Sequence, residues 1–163
     1  MNLKAETIAE IERVIPLYPQ KRSALMPLIH AVQADLGYVS DEAMDWIAAK
    51  LGIEPVNVLE VVTFYPYFRR KPFGKHHIRV CRTLSCALNG SFNILDVFRE
   101  EFGCEAGENG LDDLVTFEFG ECLAACHNGP VVLVDEVLHE KVDEAKAREI
   151  ARAIKAEHTS VTK

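Results

Sequence analysis

Apolar residues in the first half of the chain recur every three or four positions, the spacing of one buried helix face. Ile8, Ile11 and Ile15 mark a first helix, which Pro16 and Pro19 end. Leu25, Leu28, Ile29, Val32 and Leu36 form a second stripe, closed by Gly37. Pro27 near its start marks an early kink or a late first turn. In SDEAMDWIAAKLG, Ser40 is a candidate N-cap, Asp41 and Glu42 suit the positive helix end, and Gly52 stops the helix. A fourth helix starts at Pro55 and is expected to bury Val58, Val61, Val62 and Tyr65, ending before Pro66.

FRRKPFGK, residues 68–75, is basic, holds Pro72 and Gly74, and lacks a sustained period, which marks a linker. Beyond it the period shifts toward two. Ile78 and Val80 alternate with His77 and Arg79 in a strand that runs into Cys81. Residues 91–102 read as a helix carrying Ile94, Leu95, Phe98 and Phe102. CEAGENGLDD is turn-rich, and Val115, Phe117 and Phe119 then alternate as a second strand ending near Cys122. VVLVDEVLHEKV reads as two short strands around a turn, and DEAKAREIARAIKAEH as a closing helix with Ala147, Ile150, Ala151 and Ile154 on one face. The order β-α-β-β-β-α fits a small sheet backed by helices. The polar tail after His158 is expected to fray.

The expected organisation is therefore α+β: an N-terminal helical bundle over residues 1–75, then a sheet domain over 76–163. Charge divides at the same place. Residues 1–75 carry 9 Lys and Arg against 9 Asp and Glu, whereas residues 76–163 carry 9 against 16, so the net charge of −7 sits wholly in the second half. Phosphate affinity comes from Lys and Arg contacts, so an acidic body excludes nucleic acid as the expected partner. AAKLGIEPVNVLEVVTFY has the outline of a helix-turn-helix, but its second helix holds Glu54 and Glu60 and no Lys or Arg. No apolar run approaches the ~20 residues of a membrane helix, and MNLKAETIAEIERVI lacks the pattern of a secretory signal. A cytoplasmic location without membrane insertion is the expectation, and thiols there stay reduced unless a metal takes them.

Four of the five cysteines fall in VCRTLSC and GECLAAC, as Cys81, Cys86, Cys122 and Cys126. Each pair follows an expected strand, so the two loops share one sheet end if those strands run parallel. Four thiolates on rigid strand ends suit a tetrahedral structural zinc or an iron–sulfur cluster, and the spacings C-x4-C and C-x3-C leave both open.

HIRVCRTLSCALNGS and GECLAACHNGP, with YPQKRSALMPLIHAVQADLGYVS and VVTFYPYF earlier in the chain, resemble the thioredoxin-like [2Fe-2S] ferredoxin family. Within it they resemble the E-subunit branch of NADH–quinone oxidoreductases, with its counterparts in bidirectional hydrogenases and formate dehydrogenases. The resemblance covers nearly the whole chain. It implies a thioredoxin-like [2Fe-2S] ferredoxin domain over 76–163, with one cluster held by Cys81, Cys86, Cys122 and Cys126. It further implies an electron-transfer subunit in the peripheral arm of a membrane-bound complex, docked on a partner that carries FMN and the NADH site. Ala124 stands where the family commonly has Gly, which is tolerable unless the position needs positive φ.

An oxidised [2Fe-2S] core with four thiolates is a dianion, and reduction adds a further negative charge, so backbone N–H donors are expected around it. Gly90-Ser91 and Asn128-Gly129-Pro130 are the candidates, and Glu121, beside Cys122, is the carboxylate best placed to oppose reduction. The chain has no G-x-G-x-x-G, no P-loop and no convincing catalytic base, so NADH oxidation would belong to the assembly. Cys104 reads as an idle thiol. His127 is the one histidine beside a ligand candidate, and the four cysteines already complete a ligand set. Trp46 and the run Phe64-Tyr65-Pro66-Tyr67-Phe68 are expected in core and interdomain packing.

Overall fold

The computed structural model describes residues 2–161, with side chains through 157. Between Pro72 and Phe73 the chain divides into two compact units. The first contains four α-helices: α1 (Ala5–Val14), α2 (Leu25–Leu36), α3 (Asp41–Leu51) and α4 (Pro55–Phe64). Ile11, Leu28, Ile29, Val32, Ile47 and Val58 are fully buried in its core, each contributing about 1.5–3 kcal/mol of apolar burial. Ser40 caps α3 by accepting from the Ala43 N–H at 3.1 Å, and Gly52 ends it in the left-handed conformation. Pro27 is the third residue of α2, where its missing N–H is one of the orphans of a first turn, so the late-turn reading holds.

Two expectations for this unit need correction. Tyr65 leaves the buried stripe because α4 ends at Phe64 and the Tyr65 backbone turns extended. Of the aromatic run, only Phe68 is buried; Phe64 and Tyr67 are 73% and 62% exposed, and Tyr65 is exposed as well. Trp46 is half-buried against the core. Residues 67–69 are held by Gln33 on α2, which donates from Nε2 to the Tyr67 carbonyl at 3.0 Å and accepts from the Arg69 N–H at 2.7 Å. Both polar ends of a buried amide are thus satisfied by the chain leaving α4.

The second unit is a five-stranded sheet in the order β2-β3-β1-β4-β5. Its strands are β1 (His76–Cys81), β2 (Asn109–Gly110), β3 (Val115–Gly120), β4 (Val132–Val134) and β5 (Val137–His139). Only β1 and β3 pair in parallel. Ile78, Val80, Phe117 and Val132 form one core with residues of α6 (Ser91–Phe102) and α7 (Glu144–Val161). Asp143 caps α7, its carboxylate accepting from the Lys146 N–H at 2.8 Å.

The alternation pattern overlooks two elements. A five-residue helix α5 (Leu84–Leu88) lies between Cys81 and α6, too short to show a period. Strand β2 lies inside the turn-rich segment, where Thr116 donates to Asn109 Oδ1 at 2.6 Å while accepting from the Gly74 N–H at 2.7 Å. That second bond places Gly74 in the sheet unit rather than in a linker. The helix α7 continues past His158, where fraying is expected, to Val161; Thr162 and Lys163 lie outside the described residues. Among the described residues no helix is long and apolar enough to cross a membrane.

Charged groups tie the far end of α7 to the start of β1. His76 Nδ1 lies 2.9 Å from Asp135 and Nε2 lies 3.1 Å from Glu157, which also accepts from Lys75 Nζ at 2.8 Å. Burial alone would lower the His76 pKa, but the hydrogen bonds to Asp135 and Glu157 outweigh it and the net shift is upward. Its stabilisation is therefore complete below the unfolded value of about 6.5 and is lost as pH rises through the higher folded value. Lys75, then His76, hold the Glu157 carboxyl below its usual range, so Glu157 remains ionised across that window. Urea unfolding followed from about pH 6 to about pH 9 is expected to show falling stability. His76→Gln is expected to flatten that slope.

Candidate metal centre

Parallel pairing aligns Cys81, the last residue of β1, with Gly120, the last of β3. Both strands therefore release their loops at one end of the sheet, as the spacing of the cysteine pairs anticipates. Cys86 lies on α5, inside a small buried cluster with Cys81, Ala125 and Val131. Cys122 and Cys126 are on the second loop and are exposed. The loops are joined where Ser85 Oγ donates to the Cys126 carbonyl at 2.9 Å. The Val142 N–H donates to the Pro130 carbonyl at 3.0 Å, and the Lys141 N–H to that of Asn128 at 2.8 Å, which holds the second loop down.

Cys122 Sγ and Cys126 Sγ are 3.7 Å apart, the spacing of two thiolates that share one tetrahedral metal at ~2.3 Å. Cys81 and Cys86 share a hydrogen bond, Cys86 feels the charge of Cys126, and both cysteines of the second loop feel that of Cys81. Burial pushes the Cys81 thiol up, but the Thr83 hydroxyl and N–H and the Leu123 N–H reverse this and the net shift is downward. Cys86 is raised by burial, against a hydrogen bond from Val131. Cys122 is lowered first by the Ala124 N–H, 3.4 Å from its sulfur, and Cys126 is raised by the hydrogen bond and charge of Cys122. Each pair thus has one sulfur shifted toward the thiolate and one shifted away from it.

The residues fit an iron–sulfur cluster. Two thiol pairs lie at one end of the sheet, backbone N–H groups of Leu123, Ala124 and Val131 serve the sulfurs, and a Cβ on Gly129 would stand only 3.2 Å from Cys86 Sγ. A side chain there would crowd the thiol end. Ser91, on the first turn of α6 after the Cys86 loop, has a buried hydroxyl with no partner among the described residues. As the side chains stand, no three of the described His, Cys, Asp and Glu residues are gathered around one ion.

Several site expectations change. The cysteine sulfurs have donors in Thr83, Leu123, Ala124 and Val131, while the Gly90 and Asn128 N–H groups donate to the Ala87 and Ala125 carbonyls at 3.1 and 3.0 Å; backbone donors carry no sequence signal. Thr83 was legible only as a hydroxyl two residues beyond Cys81. Glu121 is paired with Arg82 Nε at 3.0 Å, so its charge is balanced. His127 is exposed, and His76 and His77 pair with carboxylates at other positions on the sheet. Cys104 lies apart at the β2 edge, its sulfur 2.7 Å from where a Cβ on Gly110 would be; burial raises its pKa.

A mixed sheet with a cysteine pair in the loop after each of two parallel strands suits an iron–sulfur protein of α+β fold. The thioredoxin-like [2Fe-2S] ferredoxin family model matches residues 11–155, and the chain belongs to that family. It is 36% identical over 149 residues to NADH-quinone oxidoreductase subunit 2 of Thermus thermophilus, covering 90% of this chain and 82% of that one. It is 33% identical over 156 residues to the NADH-quinone oxidoreductase E-subunit of Mycobacterium tuberculosis, covering 96% of this chain but 62% of the relative. A crystal structure of an NAD+-reducing [NiFe]-hydrogenase in the H2-reduced state shares the fold. Its TM-score is 0.67 at 17% identity, over 81% of this chain and 22% of that one.

Ala124 has φ +61°, so this loop does need the conformation that the methyl disfavours. An L-residue there costs ~1–2 kcal/mol, part of which glycine gives back as unfolded-state entropy. Ala124→Gly is expected to raise the urea midpoint of the metal-free, reduced protein by a net ~0.5–1 kcal/mol equivalent.

Proposed function

We propose that this chain is a one-electron carrier that holds a single [2Fe-2S] cluster on Cys81, Cys86, Cys122 and Cys126, within an NADH-oxidising complex of the NADH–quinone oxidoreductase type. The observation that carries the reading is the placement of two thiol pairs after adjacent parallel strand ends. When bound, such a cluster accepts and returns one electron without making or breaking substrate bonds. The protein's work is then to hold four thiolates and to set the polarity around them. Leu123, Ala124 and Val131 aim N–H dipoles at sulfur, and Gly129 leaves room beside Cys86. Cys81 and Cys86 are buried while Cys122 and Cys126 are exposed, so one side of the site is insulated and the other accessible to a partner.

That partner is proposed to be the subunit that carries FMN and the NADH site, with this chain in the peripheral, cytoplasmic arm. The helical first unit is proposed to be the bundle that accompanies the ferredoxin domain in this branch. Relatives at 33% and 36% identity are named as NADH-quinone oxidoreductase subunits, which supports that parent complex. The same role in an NAD-linked hydrogenase or formate dehydrogenase is the second reading, compatible with the hydrogenase fold likeness.

Protein isolated without oxygen is expected to be brown, with about two irons and two labile sulfides per chain. A single colourless zinc would instead establish a structural-metal module. Ser at any of the four positions is expected to reduce cluster content severely, whereas Cys104→Ala retains the full visible spectrum. Equal loss at Cys104 would mean a different ligand set.

Co-expression with the FMN subunit is expected to give a stable pair, and only the pair should oxidise NADH with an artificial acceptor. Turnover by this chain alone, free of flavin, would refute the division of labour.

A further inference from the structure

Thr83 occupies the N-cap position of α5, with extended backbone at φ −76° and ψ 164°. A threonine there ordinarily turns its hydroxyl onto an N–H of the first helical turn. Thr83 makes no such bond. Its Oγ1 lies instead 3.2 Å from Cys81 Sγ, within reach of a hydroxyl-to-sulfur hydrogen bond.

A hydroxyl has one proton to give. Thiolates that ligate a metal have none, so between Thr83 and Cys81 the donor must be Thr83. Hydrogen bonds to an ionised acceptor are shorter and stronger than neutral ones, and they strengthen as negative charge accumulates on the acceptor. A donor to the ligand sulfurs consequently favours the reduced over the oxidised state of an iron–sulfur site.

On the reading that these thiols hold a [2Fe-2S] cluster, we propose that Thr83 is the positioning residue that raises its reduction potential, by donating its hydroxyl proton to the Cys81 sulfur. The geometry separates this role from helix capping, because the hydroxyl is withdrawn from α5 altogether. Deleting it removes a sulfur contact and leaves the α5 cap as it was.

The test compares wild type with Thr83→Val, which keeps the branched shape, and Thr83→Ser, which keeps the hydroxyl. Each is measured as the full chain by iron and sulfide content, EPR-monitored redox titration, and deuterium-exchange ENDOR on the reduced state. Thr83→Val is expected to load normally and to shift the one-electron equilibrium about tenfold toward the oxidised state, ~59 mV lower in potential. It should also lose one exchangeable proton coupling. Thr83→Ser should keep that coupling and titrate within about twofold of wild type, the lesser part of the tenfold change.

A Thr83→Val protein that loads fully and titrates with wild type would overturn the proposal while leaving the cluster reading intact. If Thr83→Val fails to load, Thr83→Ala decides by the same measurements. Failure of both would assign Thr83 to assembly and overturn the tuning role. A wild-type protein that holds one zinc and no iron would overturn both readings.

Discussion

The parallel pairing of β1 with β3 is the constraint on which the site depends. Parallel strands cannot be joined by a tight turn, so the chain must cross back between them, and here the crossover contains α5 and α6. Its consequence is positional. Both strands finish at the same sheet edge, with Cys81 beside Gly120, and the loops that leave them bring together thiols distant in sequence. Antiparallel pairing of the same strands would send the two cysteine loops to opposite ends. The third contributor, β4, runs antiparallel to β1, and the Val131 carbonyl just before it accepts from the Cys81 N–H at 3.1 Å. The site thus rests on main-chain bonds of a sheet core rather than on its own loops.

Around the thiols, the electrostatic problem is the accumulation of negative charge in a body that already carries an acidic excess. Glu121, the carboxylate nearest in sequence, is paired with Arg82. Dipoles that touch sulfur act at much shorter range. Cys81, one of the two lowered sulfurs, has the Thr83 hydroxyl at 3.2 Å and Cys122, the other, has the Ala124 N–H at 3.4 Å, whereas the raised Cys86 and Cys126 are dominated by burial and by their own partner, respectively. Burial and contacts at the sulfurs themselves, not the net charge of the body, divide the four thiols. Ala124 belongs to the same account: its N–H reaches Cys122 from a backbone conformation that costs it strain.

The first unit shows how a buried polar residue can organise an otherwise apolar body. Gln33 satisfies its amide with the main chain of residues 67 and 69, and so fixes where the chain runs after α4. Phe68 follows into the core, while Phe64, Tyr65 and Tyr67 remain at the surface. The aromatic run is therefore split by backbone geometry: hydrophobicity alone would bury all of it.

What the sequence determined by itself was everything that depends on local periodicity and local caps. The four helical stripes, the Ser40 cap, the stop at Gly52, the alternation into Cys81 and the long α6 and α7 are all encoded within a dozen neighbouring residues. The grouping of the cysteines was visible too, as two pairs at strand ends. Elements too short for a period, α5 and β2, were not legible. The positive φ of Ala124, the Glu121–Arg82 pair, the exposure of Phe64 and the withdrawal of the Thr83 hydroxyl from its helix were decided only by the tertiary structure. Each depends on groups that the sheet and the loop closures bring together across long stretches of chain, and no local pattern records that meeting.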